Sequence, residues 1–140
     1  MTRQQKYPDT AWFHFHNENP HNRFTTDCVI RAIATATGMH YNTVLMEMAE
    51  QQCKTGFDMS ENKAIEKYLT SKGWAKQKQP RKKDGKKYTG IEFCAYLADP
   101  KRKYIANIGG HHIVAIVGGK VWDTWDSTEG CIGNYWEEAK

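Results

Sequence analysis

The stretch that most constrains this chain is Val29-Ile30-Arg31-Ala32-Ile33-Ala34-Thr35-Ala36-Thr37, which stops at Gly38. Wound as a helix, it is apolar over most of its surface, interrupted only by Arg31, Thr35 and Thr37. A helix that is apolar nearly all round has to be enclosed by the rest of its domain. Thr25 or Thr26 suits the N-cap, Asp27 suits the positive end of the helix dipole, and Gly38 suits the position after the last turn. The first turn then carries Cys28. Unsatisfied backbone N–H groups at a helix N-terminus favour a thiolate over a thiol. The helix expected at the centre of the domain thus presents a potential nucleophile at its front end.

A chain of 140 residues is expected to form one domain, 1–140, with a real core. Five tryptophans, seven tyrosines and five phenylalanines argue against disorder. Cys28, Cys53, Cys94 and Cys131 are widely spaced with no C-x-x-C pair, which fits free thiols in a cytoplasmic protein. No apolar run is long enough to span a membrane, and Met1-Thr2-Arg3-Gln4-Gln5-Lys6 has no hydrophobic segment behind it. Neither a membrane partner nor a secretory leader is expected. The net charge of +4 is mild. Much of it lies in Lys76, Lys78, Arg81, Lys82, Lys83, Lys86 and Lys87, where Pro80 and Gly85 indicate a basic loop over 76–88. Without interleaved aromatics this loop is not a stacking platform, so nucleic acid is not expected as a partner. It could instead steer an acidic partner by long-range attraction.

Helices are expected first and strands second. Residues 1–16 read as an N-terminal extension in which 12–16 can form a short strand. Asn42 to Gln52 shows a stripe of Val44, Leu45, Met48 and Ala49, and Ser60 to Lys72 one of Ala64, Ile65, Tyr68 and Leu69. Thr89-Gly90-Ile91-Glu92 is a capping box opening a short helix to Ala98. Beyond it, Tyr104–Asn107, His112–Val117, Lys120–Trp125 and Cys131–Tyr135 read as strands, with Gly118-Gly119 as a hairpin turn. That order indicates α+β, with N-terminal helices packed on a C-terminal antiparallel sheet.

A cysteine nucleophile needs a base, and the base needs a group to orient it. His111 and His112 open the best strand, and alternation lets only one of them face the Cys28 helix. A hairpin at Gly118-Gly119 sets Val117 beside Lys120 and His112 near Trp125, which brings Asp123 within about one residue pair of His112. Trp125 can cover that contact. Asp126 competes with Asp123 for the orienting role, or caps the turn at Ser127-Thr128-Glu129-Gly130. Asn22 could donate its amide to an oxyanion. Cys53, Cys94 and Cys131 have no such context, and no set of ligands with metal-site spacing includes His111 and His112.

Taken together, Asn22…Cys28, His112-Ile113-Val114-Ala115-Ile116-Val117-Gly118 and Asp123-Thr124-Trp125 resemble the papain-like cysteine peptidase superfamily. The segments Asp27-Cys28-Val29-Ile30-Arg31-Ala32-Ile33-Ala34 and Val121-Trp122-Asp123-Thr124-Trp125-Asp126 are similar to those of small proteins encoded by phages and prophages, a resemblance that spans residues 17 to 136. The resemblance implies a papain-like fold in which the helix headed by Cys28 is central. It implies Cys28 as nucleophile, His112 as base, Asp123 as orienting residue, Asn22 as oxyanion donor and Trp125 as shield. No cofactor and no metal are implied. A protein or peptide would be the substrate, and the host cytoplasm the place of action. The same residues would also serve an acyltransferase or transglutaminase-like enzyme. A non-catalytic phage protein that binds a host protein is the alternative of a different class.

Overall fold

The computed structural model describes residues 1–139. A four-residue helix α1 (Arg3–Lys6) is followed by the short strand β1 (Phe13–Phe15). Three longer helices come next, α2 (Cys28–Thr37), α3 (Tyr41–Thr55) and α4 (Asn62–Ser71). Strand β2 (Trp74–Gln77) and the single-turn α5 (Gly90–Glu92) lead to β3 (Lys103–Ile108), β4 (His112–Val117), β5 (Lys120–Asp123) and β6 (Ile132–Glu138). Among the described residues no helix is long and apolar enough to cross a membrane.

The fold is α+β, and its sheet is mixed. Six strands lie in the order β1-β5-β4-β3-β6-β2. Every neighbouring pair is antiparallel except β1 and β5, which run parallel with Phe13 opposite Val121 and Phe15 opposite Asp123. The expected antiparallel sheet is therefore corrected at the β1 edge, and at the other edge it gains β2, an antiparallel strand that was not expected. Hairpin signals specify strands that are neighbours in sequence. They carry no information about β1, which joins the sheet from more than a hundred residues away, or about β2, hidden at the start of the basic segment. Residues 1–16 are accordingly more than an extension, because Phe13 is fully buried. The basic loop begins one residue past β2, with Arg81 and Lys87 forming an isolated bridge. Its charge is partly met by Glu92 on Lys82, while Lys76 in β2 lies 3.5 Å from Glu66.

Two apolar clusters sandwich the sheet. On one face α2 contributes Val29, Ile30, Ile33 and Ala36, which pack with Val44, Met48, Ile65 and Leu69 of α3 and α4 over Ile105, Ile113, Ala115 and Trp136. On the other, Phe93 joins Phe13, Tyr104, Val114, Ile116, Val121 and Ile132. Being surrounded on all sides is what makes a run as apolar as α2 stable.

Helix ends differ in detail from the sequence expectation. Gly38 does take the left-handed conformation after α2, with φ 76°. At the other end neither Thr25 nor Thr26 caps. Asp27 occupies the N-cap position, and its carboxylate makes no capping bond. Helix α3 is capped by His40, whose Nδ1 accepts from the Asn42 N–H at 3.0 Å, and runs on to Thr55. The Thr89 capping box is present, with its Oγ1 accepting from the Glu92 N–H at 3.1 Å. After α5 the chain widens into a π-helical turn, Phe93–Leu97.

Gly90 marks the tightest backbone approach in the second core. A Cβ there would lie 2.9 Å from Ile108 Cδ1 and 3.0 Å from the Thr128 carbonyl oxygen. Gly90→Ala should destabilise the domain by about 1–3 kcal/mol, the usual cost of overpacking against backbone. Equilibrium urea unfolding checks this, and an unchanged midpoint would refute the close approach.

Candidate active site

Cys28 is the first residue of α2, and β4 passes directly beneath it. The backbone N–H of Ile113 donates to its sulfur, and the His112 imidazole is its side-chain hydrogen-bond partner. His112 Nε2 is bonded to Asp123 Oδ2, which leaves Nδ1 for the thiol. Three side chains separated by 84 and 11 positions in sequence thus stand in one line, sulfur to imidazole to carboxylate.

The choice of His112 over His111 is a tertiary result. Ile113 and Ala115 pack into the core beneath α2, so strict alternation along β4 would have turned His111 towards the helix. His112 instead opens the strand and Asp123 ends β5, so both side chains sit where regular pairing stops. His111 is exposed on the rim of a neighbouring cleft. The hairpin register expected from Gly118-Gly119 is present, with Val117 opposite Lys120 and Ala115 opposite Trp122.

Asp123 is 2% exposed and fully engaged. Besides His112, it accepts from Arg31 Nη1 at 2.7 Å and from the Thr124 N–H at 2.7 Å. Arg31 is itself buried, and its Nε donates to Asp27 Oδ1 at 2.7 Å. Asp27 also accepts from the Tyr41 hydroxyl at 2.7 Å and from Asn19 Nδ2 at 3.1 Å. This explains why Asp27 does not cap α2: its oxygens are committed sideways. No side chain caps the first turn, so its N–H groups remain directed at the end of the helix that holds the thiol.

The electrostatics follow from these contacts. Burial opposes the thiolate of Cys28 most strongly, but the hydrogen bonds from His112 and Ile113 and the charges of His112 and Arg31 override it and lower the pKa. Burial likewise opposes the imidazolium of His112, and the bonds to Asp123 and Cys28 outweigh it, raising the pKa to about 9. Asp123 is held below its ordinary range despite desolvation, because His112 and Arg31 both favour its charge. The arrangement stabilises a thiolate–imidazolium pair. Cys94 is the opposite case, a thiol pushed up to about 12 by burial alone.

The remaining expected residues divide cleanly. Trp125 lies over His112, with ring centroids 4.9 Å apart at 38°. Asp126 accepts from the Thr128 N–H at 2.9 Å and from its hydroxyl at 2.6 Å, so it shapes the turn and does not orient the base. Asn22 is not brought to the sulfur. It is exposed in a left-handed turn with φ 53°, its side chain accepts from Asn17 at 3.4 Å, and it lines neither cleft beside Cys28. Sequence reasoning passed over Arg31, although a lone charge on an apolar helix four residues after Asp27 was the available signal. The Ile113 N–H, a backbone group, left no signal.

Two clefts meet at Cys28. One, of about 430 Å³, is walled by Arg3, Phe24, Thr25, Thr26 and Trp125. The other, of about 390 Å³, is walled by Phe57, Asn62, Asn107, Gly110 and His111. Among the described residues no three His, Cys, Asp or Glu side chains form a group able to hold a metal ion. Comparison with protein-family models, with curated proteins and with solved structures finds no match for the chain.

Proposed function

We propose that this chain is a papain-like cysteine hydrolase that cleaves a peptide, isopeptide or related amide. The observation that carries this reading is the Cys28–His112–Asp123 line at the uncapped head of a buried helix. The Cys28 thiolate attacks the carbonyl carbon. The negative charge that develops on the carbonyl oxygen is taken by first-turn N–H groups of α2, with that of Cys28 foremost. As the C–N bond breaks, the His112 imidazolium gives its proton to the leaving amine. Neutral His112 then takes a proton from water, hydroxide adds to the thioester carbon, and release of the carboxylic acid restores the Cys28 thiolate beside the His112 imidazolium. Asp123 keeps the ring in the required tautomer, with Arg31 and the Thr124 N–H fixing the carboxylate. Trp125 keeps water off the His112–Asp123 contact.

Digestion of a proteome-derived peptide library, read by mass spectrometry, tests the reading directly. The expected result is a set of cleaved amide bonds that disappears with Cys28→Ser. A labelled amine in the same digest reports transfer in place of hydrolysis. A library left intact, with Cys28 alkylating no faster than an ordinary thiol, overturns the proposal.

A further inference from the structure

The two clefts beside Cys28 differ in charge. The one under His111 has both Glu61 and Lys63 in its wall. The one under Trp125 has two arginines, Arg3 and Arg31, and no acidic residue. Arg31 is already consumed by Asp27 and Asp123. Arg3 is different. Its Nε donates to the Thr124 carbonyl at 2.7 Å, so the head group is anchored to the residue after Asp123. The guanidinium also lies over two rings, 5.1 Å from the Phe24 centroid and 5.7 Å from that of Tyr7. The short helix that carries it is closed by a reciprocal capping box between Thr2 and Gln5. Among the described residues Arg3 has no carboxylate within ion-pair distance, and neither of its terminal nitrogens has a hydrogen-bond acceptor.

A guanidinium held by Nε and by stacking presents its two terminal nitrogens as a fork, the shape that matches a carboxylate. Beside it the exposed Thr25 and Thr26 line the same wall, and their hydroxyls are further donors. We infer that Arg3 is a specificity-determining residue that binds a carboxylate of the substrate in the Trp125-side cleft, so that the enzyme selects amides with an acidic group on that side of the scissile bond. This rests on Cys28 being the nucleophile of the proposed hydrolase. The carboxylate could be an aspartate or glutamate side chain or a free main-chain terminus.

Two matched pairs of thiol electrophiles separate these sources without a known substrate. Acetyl-Asp and acetyl-Asn chloromethyl ketones compare a side-chain carboxylate with its amide. Iodoacetate and iodoacetamide compare a bare carboxylate with its amide. The readout is the ratio of Cys28 alkylation rates within a pair, so a general change in thiol reactivity cancels. In the wild-type chain at least one pair should favour the anion by about tenfold, the scale of one charge-assisted hydrogen bond. Arg3→Gln should lower that ratio severalfold, to the preference that His112 and Arg31 alone confer, and Arg3→Glu should lower it further. The pair that responds identifies the source. Ratios that are the same in the wild-type chain, Arg3→Gln and Arg3→Glu overturn the inference. Slow alkylation of Cys28 by the neutral reagents in the wild-type chain would instead count against the hydrolase itself, so the two failures are told apart.

Discussion

Alkylation of Cys28 by iodoacetamide at pH 6 should be fast in the wild-type chain and slower by about two to three orders of magnitude in His112→Ala. The imidazole supplies the first of the contributions that lower the Cys28 pKa. Without it the largest of the lowering contributions is gone, and burial pushes the thiol back towards its ordinary pKa. A thiol of that pKa is about one part in a thousand ionised at pH 6. Cys94 should stay unlabelled in both proteins, since burial pushes it up to about 12. The wild-type rate should be flat from the lowered Cys28 pKa up to about 9, where His112 loses its proton. Peptide mapping after timed quenching checks each site separately. A Cys28 rate that climbs steadily from pH 6 to 9, unchanged by His112→Ala, would mean that no activated pair exists.

Arg31→Met should cost about 3–5 kcal/mol of folding stability, the range for breaking a buried ion pair from one side. For a domain of this size that corresponds to a fall in Tm of about 10–15 °C. The reason is geometric. Arg31 is the one cation between two carboxylates, Asp27 and Asp123, and its side chain is 9% exposed. Removing it leaves Asp27 with neutral partners alone, the Tyr41 hydroxyl and Asn19, and Asp123 with His112 as its remaining cation. The double variant Arg31→Met, Asp123→Asn should therefore lose less than the sum of the two single losses, because the second change removes one of the charges that Arg31 had paired. Calorimetry on all four proteins closes the cycle, and strict additivity would show that the pair is not coupled. The same carboxylates set the acid limit. Asp27 and Asp123 are both held below the ordinary carboxylate range in the folded chain, Asp27 by Arg31 and Tyr41 and Asp123 by His112 and Arg31. Their contribution is therefore complete above the unfolded value and lost as pH falls through the lowered ones.

Arg31 also shows how a regular sequence pattern can conceal a site. On periodicity it is an interruption in an apolar helix, and only the fold reveals that the interruption faces Asp123. Asn22 errs the other way. Its distance from Cys28 in sequence matched a donor role, but an αL turn in an exposed loop sets where its amide goes.

The sequence by itself determined the central helix and its cysteine, the Thr89 capping box, the stop at Gly38, the β4–β5 hairpin and its register, and the α+β class. These depend on interactions within a few residues or across one tight turn, where the side chains themselves specify the geometry. Only the tertiary structure decided that β1 lies parallel to β5, that β2 closes the far edge, that Asn22 stays away from the sulfur, and that Arg31 locks the carboxylate behind His112. All but the Asn22 turn are meetings between segments far apart in the chain. Such meetings are fixed by how whole faces pack and where strands end, and no local pattern of residues records that.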